Sequence, residues 1–380
     1  MIRIKNSLLQ NKKFVKFYLN EVGGKVQKKT VSRTDWINFP ANSLFTAKKL
    51  NISKEFIDWI LVDPFSPSHF ADTSSVEFLA EYRAIKKYLM HGKVYYDFLN
   101  KMEYHKSHTD HNGTPMSAMT YLNSIRNAVI NDFNAVIKFA IPSIAANNES
   151  IYYSWYDRIA KDFKLINDEI NIFFKYSFIS ETLRFNLLDK MNVNVCPYCN
   201  RQWVDKYKIS RQSSKSVSIA QLDHIYSQKK FPLFSLTLAN FVPSCAHCNM
   251  VIKRDHMFPF NYPYSGKGNQ DKVFAHVINR PEDFYGGSEV TISLVSGHSD
   301  LHQHDFFNLR HIYSNHAGFV AELLDKQKLR NESYRQHLTT IFERPWSDEE
   351  VDLLLFNTTG KEEDLLNKPL SKLTRDIIDL

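Results

Sequence analysis

Two Cys-x-x-Cys units constrain this chain more than any other feature. Cys196-Pro-Tyr-Cys199 and Cys245-Ala-His-Cys248 hold every cysteine in 380 residues. Each unit can bend two thiolates towards one ion. Four thiolates give the closed tetrahedral shell of a structural zinc site, which keeps no position open for chemistry. The alternative is four buried free cysteines, and two matched units speak against it. The start, Met1-Ile-Arg-Ile-Lys, lacks the apolar run of a signal peptide, and no stretch approaches a membrane span. The expected compartment is therefore the cytoplasm, with no membrane partner. Thiols stay reduced there, and paired cysteines are read as metal ligands rather than disulfides.

Charge adds a second constraint. The net charge is +7, and it is uneven. Residues 1–50 carry eleven Lys/Arg against Glu21 and Asp35, giving +9. Residues 196–260 carry nine against Asp205, Asp223 and Asp255, giving +6, while residues 341–380 carry five against ten, giving −5. The basic excess beside the cysteines favours a polyanion such as nucleic acid. The acidic end could dock a basic protein surface.

The length suggests two or three domains. Residues 1–50 are basic with poor periodicity, and Gly23-Gly24 is a turn signal. A short helix is expected over Ser53–Val62, then helices from Val76 to about Met90, from Thr114-Pro115, over Ile151–Phe173 and over Glu181–Lys190. His105, His108 and His111 read as a solvated loop. Val273–Val277 and Val290–Leu294 alternate like strands around a Gly286-Gly287 turn. Helices resume over Tyr313–Phe342. Ser347 with Glu350 is a capping-box signal, and Ser371 is the expected cap of a last helix. His298, His302, His304 and His311 match no metal spacing. The fold class is α+β and mainly helical. A basic arm and helical domain would span 1–190, a zinc-stapled core 191–262, and two strands with a helical, acidic end 263–380.

Between the cysteine units lies Asp223-His224. Val217 and Ile219 alternate towards it, so one strand over Ser216–Leu222 is expected to end there. A carboxylate beside an imidazole is either a surface pair or a hard-metal ligand next to a general base. The dipeptide alone does not decide between them.

The order of parts adds weight. Cys196, Cys199, Asp223, His224, Asn240, Cys245, Cys248 and Asn249 together resemble the HNH (ββα-metal, treble-clef) endonuclease family. That resemblance covers Cys196 to Arg254 and implies a ββα-metal core. It also implies roles. Asp223 and Asn249 would hold a catalytic Mg2+ or Mn2+, His224 would be the general base, and Asn240 would hold the His-bearing loop. A metal-dependent cut of DNA, or of RNA, would follow. Lys253 stands four residues after Asn249, so a helix would put both on one side. Lys253, Arg201, Lys229, Lys230 and Arg254 are candidate phosphate contacts. The sequence departs from the family where Ser227 replaces a frequent proline three residues after the histidine. Looser similarity reaches Asn200-Arg201, Phe307-Asn308-Leu309, Tyr313, His316 and Asn367–Leu373. It resembles a bacterial subgroup that acts in anti-phage defence beside an ATPase partner, as in Septu-type systems. The rival expectation is a non-catalytic zinc module that only binds nucleic acid or protein.

Overall fold

The computed structural model describes residues 2–4, 7–31, 36–38, 49–51, 53–65, 88, 161, 164–208, 216–255, 264, 272–279, 290–295 and 306–380. Several expectations fall outside these residues: the helices from Val76 and Thr114, most of the helix before 164, the Gly286-Gly287 turn, and His105, His108, His111, His298, His302 and His304. The described part is mixed α and β, mainly helical, with small two-stranded antiparallel sheets. Among the described residues no helix is long and apolar enough to cross a membrane.

The N-terminal stretch is more ordered than its sequence suggested. Helices span Ser7–Gln10, Lys12–Tyr18 and Gly24–Val31, with a wide π-type turn, Leu19–Gly23, joining the last two. Gly23 and Gly24 thus continue a helix rather than turn the chain. Tyr18, Val22 and Val26 are fully buried, and burying such side chains outweighs the roughly 1 kcal/mol helix penalty of each glycine. Gly23 packs on the helix Lys54–Val62, where a β-carbon would meet Leu61 Cδ1 at 3.5 Å.

That second helix starts as expected, with Ser53 Oγ accepting from the Phe56 amide at 3.1 Å. The helix Glu181–Met191 is capped the same way by Ser180 and ends on Asn192 in the left-handed region. Ser347 and Glu350 form the full reciprocal capping box before Asp348–Phe356. The last helix, Ser371–Ile378, begins one residue away from expectation: Leu370, at φ +60°, occupies the cap position. The Ser371 hydroxyl does not cap because it donates to the Asp364 carbonyl at 3.0 Å.

The strands run β1 (Trp36–Asn38), β2 (Lys49–Asn51), β3 (Lys206–Lys208), β4 (Ser216–Ser218), β5 (Gln221–His224), β6 (Phe241–Ser244), β7 (Phe274–Ile278) and β8 (Val290–Leu294). They pair in sequence order, β1 with β2, β3 with β4, β5 with β6 and β7 with β8. The single strand expected towards Asp223 is split into β4 and β5. Ile219 and Ala220 both donate to the Asp205 carbonyl, at 2.9 and 3.3 Å. Two residues opposite one make a bulge, which breaks the ladder and turns the strand.

Two sets of contacts position the centre. From the N-terminal side, the Ile2 amide donates to the Pro197 carbonyl at 3.0 Å, and the Tyr18 hydroxyl donates to the Leu236 carbonyl at 2.6 Å. From the C-terminal side, Phe307, Tyr313, Leu370 and Lys372 meet the first cysteine turn. Phe307 stacks on Tyr198 with centroids 4.7 Å apart, and the Tyr313 hydroxyl donates to the Cys199 carbonyl. Asn200 is left-handed at φ +52°, and it clamps the start of the last helix. Its carbonyl accepts from the Leu370 amide at 2.6 Å, its Oδ1 from the Lys372 amide at 2.8 Å, and its Nδ2 donates to the Leu365 carbonyl at 2.7 Å.

Candidate metal centre and the adjoining Asp-His pair

The two cysteine units meet. The ligand atoms of Cys196, Cys199, Cys245 and Cys248 all lie within 4.8 Å of one another, and all four residues are buried and free of disulfides. A tetrahedron of thiolates about 2.3 Å from one zinc has edges of roughly 3.8 Å. The local backbone builds both turns. The Asn200 amide bonds the Cys196 carbonyl at 2.8 Å, the Asn249 amide bonds the Cys245 carbonyl at 3.0 Å, and the Cys248 amide points at Cys245 Sγ from 3.4 Å. Crowding sets the thiols against each other. Hydrogen bonds from Cys196 pull Cys199 and Cys245 down, while burial pushes Cys196 up. Four buried thiols so close carry negative charge together only with a cation among them. The donor set therefore fits a metal ion such as zinc.

Asp223 and His224 end β5, opposite Val242 and Phe241 of β6. The helical turn His247–Lys253 follows β6. Asp223 is 4% exposed, and both of its oxygens are engaged. Oδ2 accepts from the Tyr198 hydroxyl at 2.5 Å, and Oδ1 faces Lys253 Nζ at 3.1 Å. Tyr198 belongs to the first cysteine turn and Lys253 to the helical turn that begins in the second. Each unit thus supplies one donor to the same carboxylate. Burial, with the charge of Asp223 second, pushes the Tyr198 phenol well above its usual range, so it stays protonated and donates.

His224 is buried, with its ring edge-on to Tyr176 at 5.0 Å and Phe241 at 5.1 Å. Its Nε2 lies 2.9 Å from the Ser235 carbonyl. A carbonyl only accepts, so Nε2 carries the proton and Nδ1 keeps the basic lone pair. Burial holds the imidazole pKa down to about 4, against the raising effect of the Ser235 bond, so the ring is neutral near pH 7.

Asn240 is fully buried. Its Oδ1 accepts from the Tyr226 amide at 2.8 Å, and its Nδ2 donates to the carbonyls of Tyr226 at 3.0 Å and Phe234 at 2.9 Å. It thereby ties together both ends of the loop that follows His224. Asn249 is half-buried and turns to β5, where its Nδ2 donates to Gln221 Oε1 at 2.9 Å. Its backbone carbonyl accepts from the Arg254 amide at 2.7 Å, which leaves the side-chain Oδ1 as the available oxygen. Gln221 stands two residues before Asp223 on the same strand face.

The five basic candidates have different fates. Lys253 is wholly buried and turned inward, its Nζ also donating to the His224 carbonyl at 2.6 Å. Lys229 is exposed but bonded to Asp255 at 2.8 Å. Arg254 is exposed, and its Nε donates to the Val251 carbonyl at 3.1 Å. Arg201 has a buried Nε without a partner, and the Lys230 carbonyl accepts from Asn167 at 3.0 Å. Tyr198, Gln221 and Ser235 complete the centre and were not anticipated. Tyr198 had a sequence signal, since it lies between two candidate ligands, and Gln221 had one in its two-residue offset from Asp223.

No family model, no curated protein and no solved structure matches this chain.

Proposed function

We propose that this protein is a metal-dependent phosphodiester hydrolase of HNH type that cuts DNA or RNA. The observation that carries the proposal is the His224–Ser235 bond beside Asp223. Burial keeps the imidazole neutral, and the bond fixes the proton on Nε2 so that Nδ1 is the acceptor, which is the form a general base needs. His224 would take the proton of the attacking water at Nδ1, and Ser235 would hold the ring in place. Asn240 would keep the loop carrying Ser235 against β6. Asp223 and the side-chain Oδ1 of Asn249 would hold the divalent ion, and oxygen donors suit Mg2+ or Mn2+. When bound, that ion supplies charge neutralisation at the phosphate and at the leaving oxygen. The four cysteines would hold a structural zinc ion. Arg254 and Arg201 are the candidate phosphate contacts least committed to acidic partners. Action in anti-phage defence beside an ATPase, in the cytoplasm, belongs to the same proposal.

The test uses supercoiled plasmid and single-stranded RNA with Mg2+ or Mn2+. His224→Ala is expected to lower the cutting rate about 100-fold or more. Equal cutting by both proteins, or no cutting by the wild type with either metal and either substrate, would reject the proposal.

One observation favours a second reading. Lys253 already neutralises Asp223, as it would in a zinc module that binds nucleic acid or protein without catalysis. Retained binding without cutting would support that reading.

A further inference from the structure

Lys253 is the most deeply buried lysine among the described residues, with no exposed surface. Its ammonium lies 3.1 Å from Asp223 Oδ1 and 2.6 Å from the His224 carbonyl. Tyr198 holds the other carboxylate oxygen at 2.5 Å. The helical turn ends directly after Lys253, at Arg254 with φ +47°. One carboxylate and one ammonium leave the buried pair neutral. A dication at the same carboxylate would stand next to the ammonium in a site that water screens poorly. Among the described residues, Asp223 is the only carboxylate that hydrogen-bonds Lys253. The four-carbon stem of lysine can swing its charge several ångströms without moving the backbone.

We propose that Lys253 is the resident cation of Asp223, and that a divalent ion gains this carboxylate by displacing the Lys253 ammonium. The proposal rests on the reading of Asp223 as a divalent-metal ligand. It makes Lys253 a positioning residue that sets the metal affinity of the centre. Only one of the two cations is held by Asp223 at a time.

Mn2+ binding to the zinc-loaded protein, followed by the electron paramagnetic resonance of free Mn2+, tests it in wild type, Lys253→Met and Asp223→Asn. Loss of the ammonium is expected to tighten Mn2+ binding on the order of tenfold or more, since charges about 4 Å apart repel appreciably even at the dielectric constant of water. Asp223→Asn is expected to abolish it. Mn2+ should also raise the melting temperature of Lys253→Met more than that of the wild type, because it replaces the missing counter-charge. Unchanged or weaker Mn2+ binding by a folded Lys253→Met protein overturns the proposal while leaving the hydrolase reading intact. Absence of Mn2+ binding in both wild type and Lys253→Met removes both. Should Lys253→Met not fold, the wild type decides. An amine-reactive ester, read by peptide mass spectrometry, should leave Lys253 unlabelled without Mn2+ and label it with Mn2+. Labelling that Mn2+ does not change overturns the proposal.

Discussion

The hydroxyl of Tyr198 donates to Asp223 Oδ2 at 2.5 Å from inside the first cysteine turn. Lys253 reaches Oδ1 from the helical turn that starts with the second. The shape of the cysteine cluster is therefore passed to one carboxylate through two side chains. An ion bound by the four thiols need not touch the Asp-His pair to affect it.

Tyr198→Phe removes one of the two donors and keeps the ring that stacks on Phe307. The loss is expected to lower unfolding free energy by about 1–3 kcal/mol, as for a buried acceptor left with one partner fewer. Denaturant titration measures this. Zinc content should stay unchanged, because no thiol is altered. Wild-type stability in this variant would show that the bond contributes nothing.

The purified protein is expected to carry about one zinc ion per chain. Cys248→Ser should lose it and melt roughly 10 °C lower or more, since a structural site contributes its binding energy to folding. Elemental analysis and calorimetry together check both statements. A zinc-free wild type with the same melting temperature as Cys248→Ser would refute them.

Asn240→Ala leaves one amide and two carbonyls of the loop without side-chain partners. A cost of about 3 kcal/mol is expected, and Asn240→Asp should be no better because it loses both donors. Chemical denaturation of both variants tests this. A cost below the error of the measurement would mean that the loop holds its shape without them.

The capping box predicts an acid-dependent effect far from the centre. Bonds from the Ser347 backbone, from Arg344 and from the Ser347 hydroxyl hold Glu350 down to about 2, against an ordinary value of 4.5. In the unfolded chain Glu350 takes up its proton first as pH falls. Its contribution is therefore complete above about pH 4.5 and is lost as pH falls through about 2. Glu350→Gln should remove this slope. Melting curves of both proteins between pH 6 and pH 2 are expected to converge at the acidic end, and parallel curves would refute the assignment.

Local rules carried much of the fold. Ser53, Ser180 and the Ser347–Glu350 box are short-range devices, and their helices start where the sequence places them. Alternation likewise located β7 and β8 to within a residue. The N-terminal helices were missed although Phe14, Tyr18, Val22 and Val26 advance in steps of four. Two glycines and many lysines obscured that stripe, and burial against Lys54–Val62 decided the outcome. In the centre, the meeting of the four cysteines was legible because Cys-x-x-Cys geometry is local. The direction of Lys253 was not. Spacing gave it a helix side, but which neighbour it meets depends on β5 lying beneath the turn. The split of β4 from β5 escaped for a similar reason, since the bulge depends on Asp205 in a partner segment.

The clamp on Asn200 has a consequence in time. The residues that fix this left-handed turn are Leu365, Leu370 and Lys372. At a synthesis rate of about 5–20 residues per second, roughly ten to thirty seconds pass between making residue 200 and making residue 372. For about 6–25 seconds of it, from residue 248 to residue 372, both cysteine units and the Asp-His pair already exist, while the bonds that clamp Asn200 do not. The final seating of the Asn200 turn is thus a late event in the making of the chain, however early its cysteines emerge.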